Sequence, residues 1–293
     1  MCLAAVGSQT GGSLTRPASY CGVASCKPTY GRVSTAGVVP LSPHLDHVGA
    51  IARCVADLVY MLEAMIDDGG IVEPFAAALR SQQRPRLGLL EDFFLAQADT
   101  DVAQPTHEAV RLLGAAGARI ASQPLPDGFG DVHAMHQRIM AVEAARFHQP
   151  RWPEHRDRYG HHLARLVDEG LATSEAAYHA ALGHQDRFRA AATAALQGID
   201  ALLTPATPTA APAGLATTGD PRFNLPWSYA GLPTVSFPSG TTAAGLPLAL
   251  QLIGRPHEEP RLLAIAAWCE RQLRFNLNPP LAAADLHNPR PHG

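Results

Sequence analysis

The stretch between residues 86 and 123 leaves few folds open to this chain. Arg86-Leu87-Gly88-Leu89-Leu90 is a short, mostly apolar run of the length of a buried strand. Residues 104–116 suit a helix, with Pro105 tolerated in its first turn and Gly117 as its stop. Residues 118–123 can form the next strand. Strand, helix and strand in that order call for α/β architecture.

The rest of the chain fits one large or two modest domains. Its 293 residues are enough for a sizeable core. At 46% apolar and 17% charged, it is neither a disordered polyelectrolyte nor a membrane bundle. A net charge of −3 gives no argument for binding nucleic acid or a membrane surface. No run approaches the ~20 apolar residues of a membrane span. The apolar opening of the chain is too short for a signal peptide. Cys2, Cys21, Cys26, Cys54 and Cys269 are scattered and form no C-x-x-C, which speaks against a disulfide scaffold or a cysteine zinc site. A soluble protein of the cytoplasm is expected.

The first 50 residues, rich in Gly, Ser, Thr and Pro, read as tight loops and short strands, and residues 1–55 as the region of a glycine loop. Val55, Leu58, Val59, Leu62 and Ile66 then form one helical stripe, ended by Asp67-Asp68-Gly69-Gly70. Residues 131–197 are a helical section. Val132, Met135, Ile139 and Val142 share a face there. Thr173 can cap a further helix with Glu175 in its first turn, and Tyr178, Ala181, Leu182 and Phe188 face inward. In residues 200–275, strands are expected at 201–204, 234–237 and 248–253. A last helix runs from about Pro260, with Leu262, Ile265, Ala266, Cys269 and Leu273 inward. Residues 278–293 read as a loose tail.

Chemistry concentrates in Gly7-Ser8-Gln9-Thr10-Gly11-Gly12-Ser13-Leu14-Thr15-Arg16-Pro17-Ala18. Two glycines before a serine permit positive φ and close approach to a ligand. Successive N–H groups in such a turn converge on a developing anion, and the serine sits beside the hole its own N–H helps to form. That arrangement suits acyl transfer. The competing reading is a Gly/Ser surface turn. There is no Gly-Lys-Ser/Thr phosphate loop and no G-x-S-x-G elbow. One composition count matters here: of 23 basic residues, only Lys27 is lysine.

The longer string resembles the amidase signature family. It continues through Pro17-Ala18-Ser19-Tyr20-Cys21-Gly22-Val23, Lys27-Pro28-Thr29-Tyr30-Gly31-Arg32-Val33 and Leu45-Asp46-His47-Val48-Gly49. Leu203-Thr204-Pro205-Ala206-Thr207-Pro208, Phe223-Asn224-Leu225-Pro226-Trp227, Ala230-Gly231-Leu232-Pro233 and Gln251-Leu252-Ile253-Gly254 extend it to the far end. The resemblance implies a mixed central sheet flanked by helices, one α/β domain over 1–293, with the N-terminal part missing. It implies hydrolysis of a carboxamide C–N bond through an acyl-enzyme on Ser13. Thr10, Gly11, Gly12 and Ser13 would donate the oxyanion hole, and no metal or cofactor would be needed.

In that family the catalytic unit also holds a cis-serine and a lysine, both N-terminal to the glycine loop. This chain has no Gly-Gly-Ser-Ser-Gly-Gly-like segment, and Lys27 matches the Lys-Pro-Thr lysine, a different position. Lys27 therefore reads as a backbone or carboxylate partner, and Ser8 and Ser19 as weak stand-ins for the bridging serine. The isolated chain is expected to be impaired or inactive, and to expose apolar surface. Gln9, and Arg16 directly before Pro17, resemble the malonamidase-type variant, in which Arg16 binds a substrate carboxylate; a structural arginine is the alternative. Trp227 and Tyr229 line an acyl pocket or simply pack. Asp46 reads as a loop anchor, and Cys21 and Cys26 as core fillers. His133, His136, His155, His161 and His162 read as solvated or core histidines, since carboxylates at ligand spacing are missing. The expected partner is a small-molecule amide, with no direct nucleic-acid or membrane contact, and with a homodimer or a missing N-terminal half possible. Two other readings stay open: a non-catalytic fragment, or the amide-transfer subunit of a tRNA-dependent amidotransferase.

Overall fold

The structure is a computed structural model, and it describes residues 2–66 and 75–275. In chain order the first elements are β1 (Ala4–Gln9), α1 (Thr15–Tyr20), β2 (Ala24–Lys27), β3 (His47–Ala52), α2 (Val55–Met65) and α3 (Phe75–Ala78). Next come β4 (Arg86–Leu89), α4 (Thr100–Ala115), β5 (Arg119–Ser122), α5 (Val132–His148), α6 (Trp152–His155), α7 (His161–Ala172) and α8 (Glu175–Ala194). The last are β6 (Ala201–Pro205), α9 (Leu225–Ala230), β7 (Thr234–Thr241), β8 (Pro247–Ile253) and α10 (Glu259–Leu273).

Among the described residues the strands form one mixed sheet in the order β1-β3-β2-β7-β8-β6-β4-β5. β4 runs parallel to β5 and β6, as a strand–helix–strand unit requires. The other pairings are antiparallel. Side-chain alternation sorts the strands into two faces. Leu203, Val235, Phe237, Leu250 and Leu252 point into one core with α2, α4 and α10. Leu202 and Ile253 point the other way, into a core with α5, α8 and α9. A small third cluster, Ala145, Trp152 and Val167, seats α6 and α7 on α5.

The helical stripes fall as their spacing predicts. Val55, Leu58, Val59 and Leu62 are buried on α2, and Ile66 is its C-cap. The stop signal at 67–70 and the tail at 278–293 lie outside the described residues. Four local expectations are corrected. α4 starts at Thr100, so Pro105 sits in the helix interior rather than the first turn. The cap of α8 is Ser174, whose Oγ accepts from Ala177 N at 3.2 Å; Thr173 Oγ1 instead donates to Glu169 O and closes α7. The first 55 residues contain a helix, α1, besides strands and loops. Cys21 is exposed, whereas Cys26 is buried.

One region of the second sheet face is polar. Ser25, Thr204, Ser236 and Gln251 are fully buried there. Ser25 and Ser236 hydroxyls bond across β2 and β7 at 2.8 Å, and Gln251 Nε2 donates to Thr204 Oγ1 at 3.2 Å. Buried polar atoms need partners, and these residues find them in one another and in the backbone. α1 packs across β2, β7 and β8.

Candidate active site

β1 delivers the chain to the site and α1 takes it away, with Thr10 to Leu14 as the turn between them. Leu14 is fully buried. Its side chain fills a slot over two glycines paired across β1 and β3, Gly7 and Gly49. A Cβ on Gly7 would lie 2.9 Å from Leu14 Cδ2, and one on Gly49 would meet both Leu14 and the Cys26 carbonyl. These absent methyls let the sheet grip the residue that follows Ser13. Ser13 itself is exposed.

The two glycines of the turn work by proximity. Neither Gly11 nor Gly12 takes a positive φ, which corrects the conformational reading of the pair. A Cβ on Gly12 would come within 2.7 Å of Asn224 Oδ1 and 3.1 Å of Pro221 Cβ, so only glycine fits. Asn224 is fully buried and anchored by Nδ2, which donates to Ala206 O at 2.8 Å.

Side chains hold the turn from several directions. Gln9 Oε1 accepts from both Leu14 N (2.9 Å) and Thr15 N (3.0 Å), capping α1 from the end of β1. Gln9 Nε2 donates to Ser228 Oγ at 3.0 Å. Thr10 Oγ1 donates to Asp46 Oδ1 at 2.5 Å, and Asp46 Oδ2 accepts from the amides of Leu41 and Ser42. Asp46 is thus a loop anchor. His136 Nε2 meets Thr10 O at 3.0 Å, and Ser228 Oγ donates to Gly11 O at 3.0 Å. Among the described residues no acceptor takes the amides of Thr10, Gly11, Gly12 or Ser13.

The other candidates are dispersed. Arg16, on α1, is buried, and its guanidinium donates to Thr218 Oγ1 at 3.0 Å. Its Nε has no partner among the described residues, and burial lowers its pKa. Lys27 is fully buried. Nζ donates to Leu232 O at 2.6 Å and Pro28 O at 3.2 Å, and desolvation pulls its pKa down to about 7. Thr29, two residues on, donates from N and Oγ1 to the buried Glu259. The Lys-Pro-Thr motif therefore ties β2 to the start of α10. Ser8 is exposed on β1. Ser19 is buried, with its Oγ 3.5 Å from Thr207 Oγ1.

Trp227 lies in the second core with no exposed surface, stacked on Phe94 at 5.7 Å. That is the packing alternative, since a ring with no open face touches no ligand. Tyr229 is also fully buried and donates to Ala181 O at 3.0 Å. Sequence reasoning placed His136 among solvated or core histidines and passed over Ser228. The first lies 123 residues from Ser13 in a generic helix, and the second carries no signal beyond its hydroxyl. Among the described residues no three His, Cys, Asp or Glu gather as a metal site. No helix among them is long and apolar enough to cross a membrane.

Known proteins are similar along most of the chain. A glutamyl-tRNA(Gln) amidotransferase subunit of Granulibacter bethesdensis is 32% identical over 330 residues, covering 98% of this chain and 65% of that protein. Its counterpart from Synechococcus sp. (strain CC9605) is 31% identical, covering 96% of this chain and 66% of that protein. The chain thus spans about two thirds of the length of these curated relatives. A crystal structure of an amidase is similar with a TM-score of 0.83 at 31% identity, covering 92% of this chain and 62% of that one. The crystal structure of the Thermotoga maritima counterpart of the amidotransferase chains gives a TM-score of 0.77 at 27% identity, covering 92% of this chain and 62% of that one. With the sequence profile described as Amidase matching residues 1–263, this chain belongs to the amidase family.

Proposed function

We propose that this chain carries the nucleophile and oxyanion site of an amide-hydrolysing enzyme, with Ser13 as nucleophile. One observation carries the reading: an exposed serine ends a turn whose amides have no acceptor among the described residues. Ser13 Oγ attacks the carbonyl carbon of an amide. The carbonyl oxygen gains charge and is held by the amides of Thr10, Gly11, Gly12 and Ser13. The amine leaves, an acyl-enzyme remains, and water releases the acid.

The attack needs a base for the Oγ proton. Lys27 is the only lysine, and two backbone carbonyls occupy its Nζ. In this reading polypeptide outside these 293 residues contributes the base. Absence of the base in a triad-type site lowers kcat on the order of 10⁴–10⁶-fold, so the chain alone is close to inactive. Arg16 is the candidate for a carboxylate on the substrate, because a guanidinium can clasp one bidentately. That favours small half-amides of dicarboxylic acids.

The test is ammonia release from such a half-amide and from an aryl amide, with fluorophosphonate labelling read by intact mass. Near-background turnover is expected, together with a slowly formed adduct on Ser13 that Ser13→Ala abolishes, because a fluorophosphonate is far more electrophilic than an amide. Ordinary turnover that Ser13→Ala abolishes would remove the outside base but keep the nucleophile. Turnover or labelling unchanged in Ser13→Ala sinks the whole reading, and loss of acid preference in Arg16→Ala supports the Arg16 role. The names of the curated relatives favour a second reading, amide transfer within a multi-chain assembly. Co-purification with the other chains of such an amidotransferase separates it from a free hydrolase. A chain with neither labelling nor partners would be non-catalytic.

A further inference from the structure

Three successive carbonyls in the turn are each held by a different donor. Thr10 O accepts from His136 Nε2 at 3.0 Å, Gly11 O from Ser228 Oγ at 3.0 Å, and Gly12 O from Arg16 N at 2.9 Å. In a trans peptide the C=O and the next residue's N–H share one plane and point opposite ways. Holding Thr10 O therefore aims Gly11 N–H, holding Gly11 O aims Gly12 N–H, and holding Gly12 O aims Ser13 N–H. Helix α1 supplies the third hold by its own geometry. The first two depend on side chains brought from α5 and α9.

Both side chains are prepared for the task. Ser228 Oγ accepts from Gln9 Nε2, which leaves its own proton for Gly11 O. Gln9 cannot turn away, because its Oε1 caps Leu14 N and Thr15 N. His136 is 1% exposed, and a carbonyl can only accept, so Nε2 carries the proton and Nδ1 does not. Burial pulls its pKa down to about 4, so the ring is neutral at pH 7. Nδ1 is buried with no partner among the described residues. A buried ring that leaves one nitrogen unpaired forgoes a hydrogen bond, and the contact retained is the one on the turn.

We infer that His136 and Ser228 are positioning residues that orient the Gly11 and Gly12 amides toward the substrate carbonyl oxygen. The inference rests on the reading of Ser13 and its turn as an acyl-transfer site. It adds two residues, distant in sequence, that touch neither substrate nor nucleophile and act through peptide planes.

Fluorophosphonate labelling of Ser13 reads the hole, because the phosphonyl oxygen occupies the oxyanion position. His136→Ala and Ser228→Ala are each expected to slow labelling about 10- to 100-fold, somewhat less than outright loss of a donor. His136→Gln, whose side-chain amide can donate to Thr10 O, is expected to restore most of the rate. Equal rates in wild type and both alanine variants overturn the inference, and so does a glutamine variant no faster than alanine. Crystal structures give a reading that needs no reactivity. The Thr10–Gly11 peptide is expected to turn over in His136→Ala and to keep its orientation in His136→Gln. An unchanged peptide in His136→Ala overturns the inference whatever the rates. Absence of labelling in the wild type is also what a chain without its base gives, so the crystal comparison alone then decides the role of His136.

Discussion

His136 has a second consequence, for stability. Its folded pKa of about 4 lies below the ordinary histidine value of 6.5 because burial disfavours the charged ring. Between those values the unfolded chain binds a proton that the folded chain does not. Stability from this group is therefore complete above pH 6.5 and is lost as pH falls toward 4, by roughly 3 kcal/mol in all. His47, also buried and depressed, acts in the same direction. Glu270 opposes them, since burial raises its pKa to about 6 and the folded form gains a proton first. Urea unfolding between pH 6.5 and 4.5 should thus show a shallower loss in His136→Gln than in wild type. Equal slopes in the two proteins would contradict the burial effect. At this scale the local pattern singled out the glycine loop but left a Gly/Ser surface turn as the competing reading, and only the longer family resemblance pointed to Ser13. The roles of His136 and Ser228 were not legible, because their relation to the loop exists only after α5 and α9 pack against it.

Helices show where local rules give way. α4 keeps a proline at its sixth position, Pro105, with Val102, Thr106, Ala109 and Leu113 buried around it. Periodicity found this helix but began it a turn late, because proline normally marks a first turn. Core contacts on Val102 carry the helix back past it. An interior proline removes one backbone hydrogen bond and strains the preceding turn. Pro105→Ala is expected to gain about 1–2 kcal/mol, part of the proline penalty being offset by a looser unfolded chain; thermal unfolding checks it, and a lowered Tm refutes it. α1 escaped the sequence for the opposite reason. Its six residues, Thr-Arg-Pro-Ala-Ser-Tyr, carry no stripe. Gln9, on the preceding strand, caps its amides. The strands at 86–89, 201–205, 234–241 and 247–253 were readable because apolar and small residues cluster there between turn signals.

The whole molecule is asymmetric. Its mixed sheet is covered on both faces near the centre, and its ends differ. Among the described residues β1 forms one edge, pairing with β3 on one side. On and beside it Leu3 is 93% exposed and Val6 60%. An apolar edge strand invites further pairing. Val6→Lys is expected to reduce self-association of the purified chain in sedimentation velocity, and a wild-type chain that runs as one monomeric species would count against this. The family and α/β class were readable from motifs spread from Gly7 to Gly254. The edge was not, because strand order depends on contacts between segments far apart in the chain.

That edge strand ends at Gln9, and the nucleophile turn begins at the next residue. A polypeptide that joined the sheet at β1 would dock by backbone hydrogen bonds alone, within a few residues of Ser13. Were that polypeptide also to carry the base, turnover would follow mass action: it would climb with the concentration of the added strand, level off at saturation and fade on dilution. Specific activity would cease to be a constant of the chain and would become a titration curve, its midpoint reporting how tightly the edge is filled.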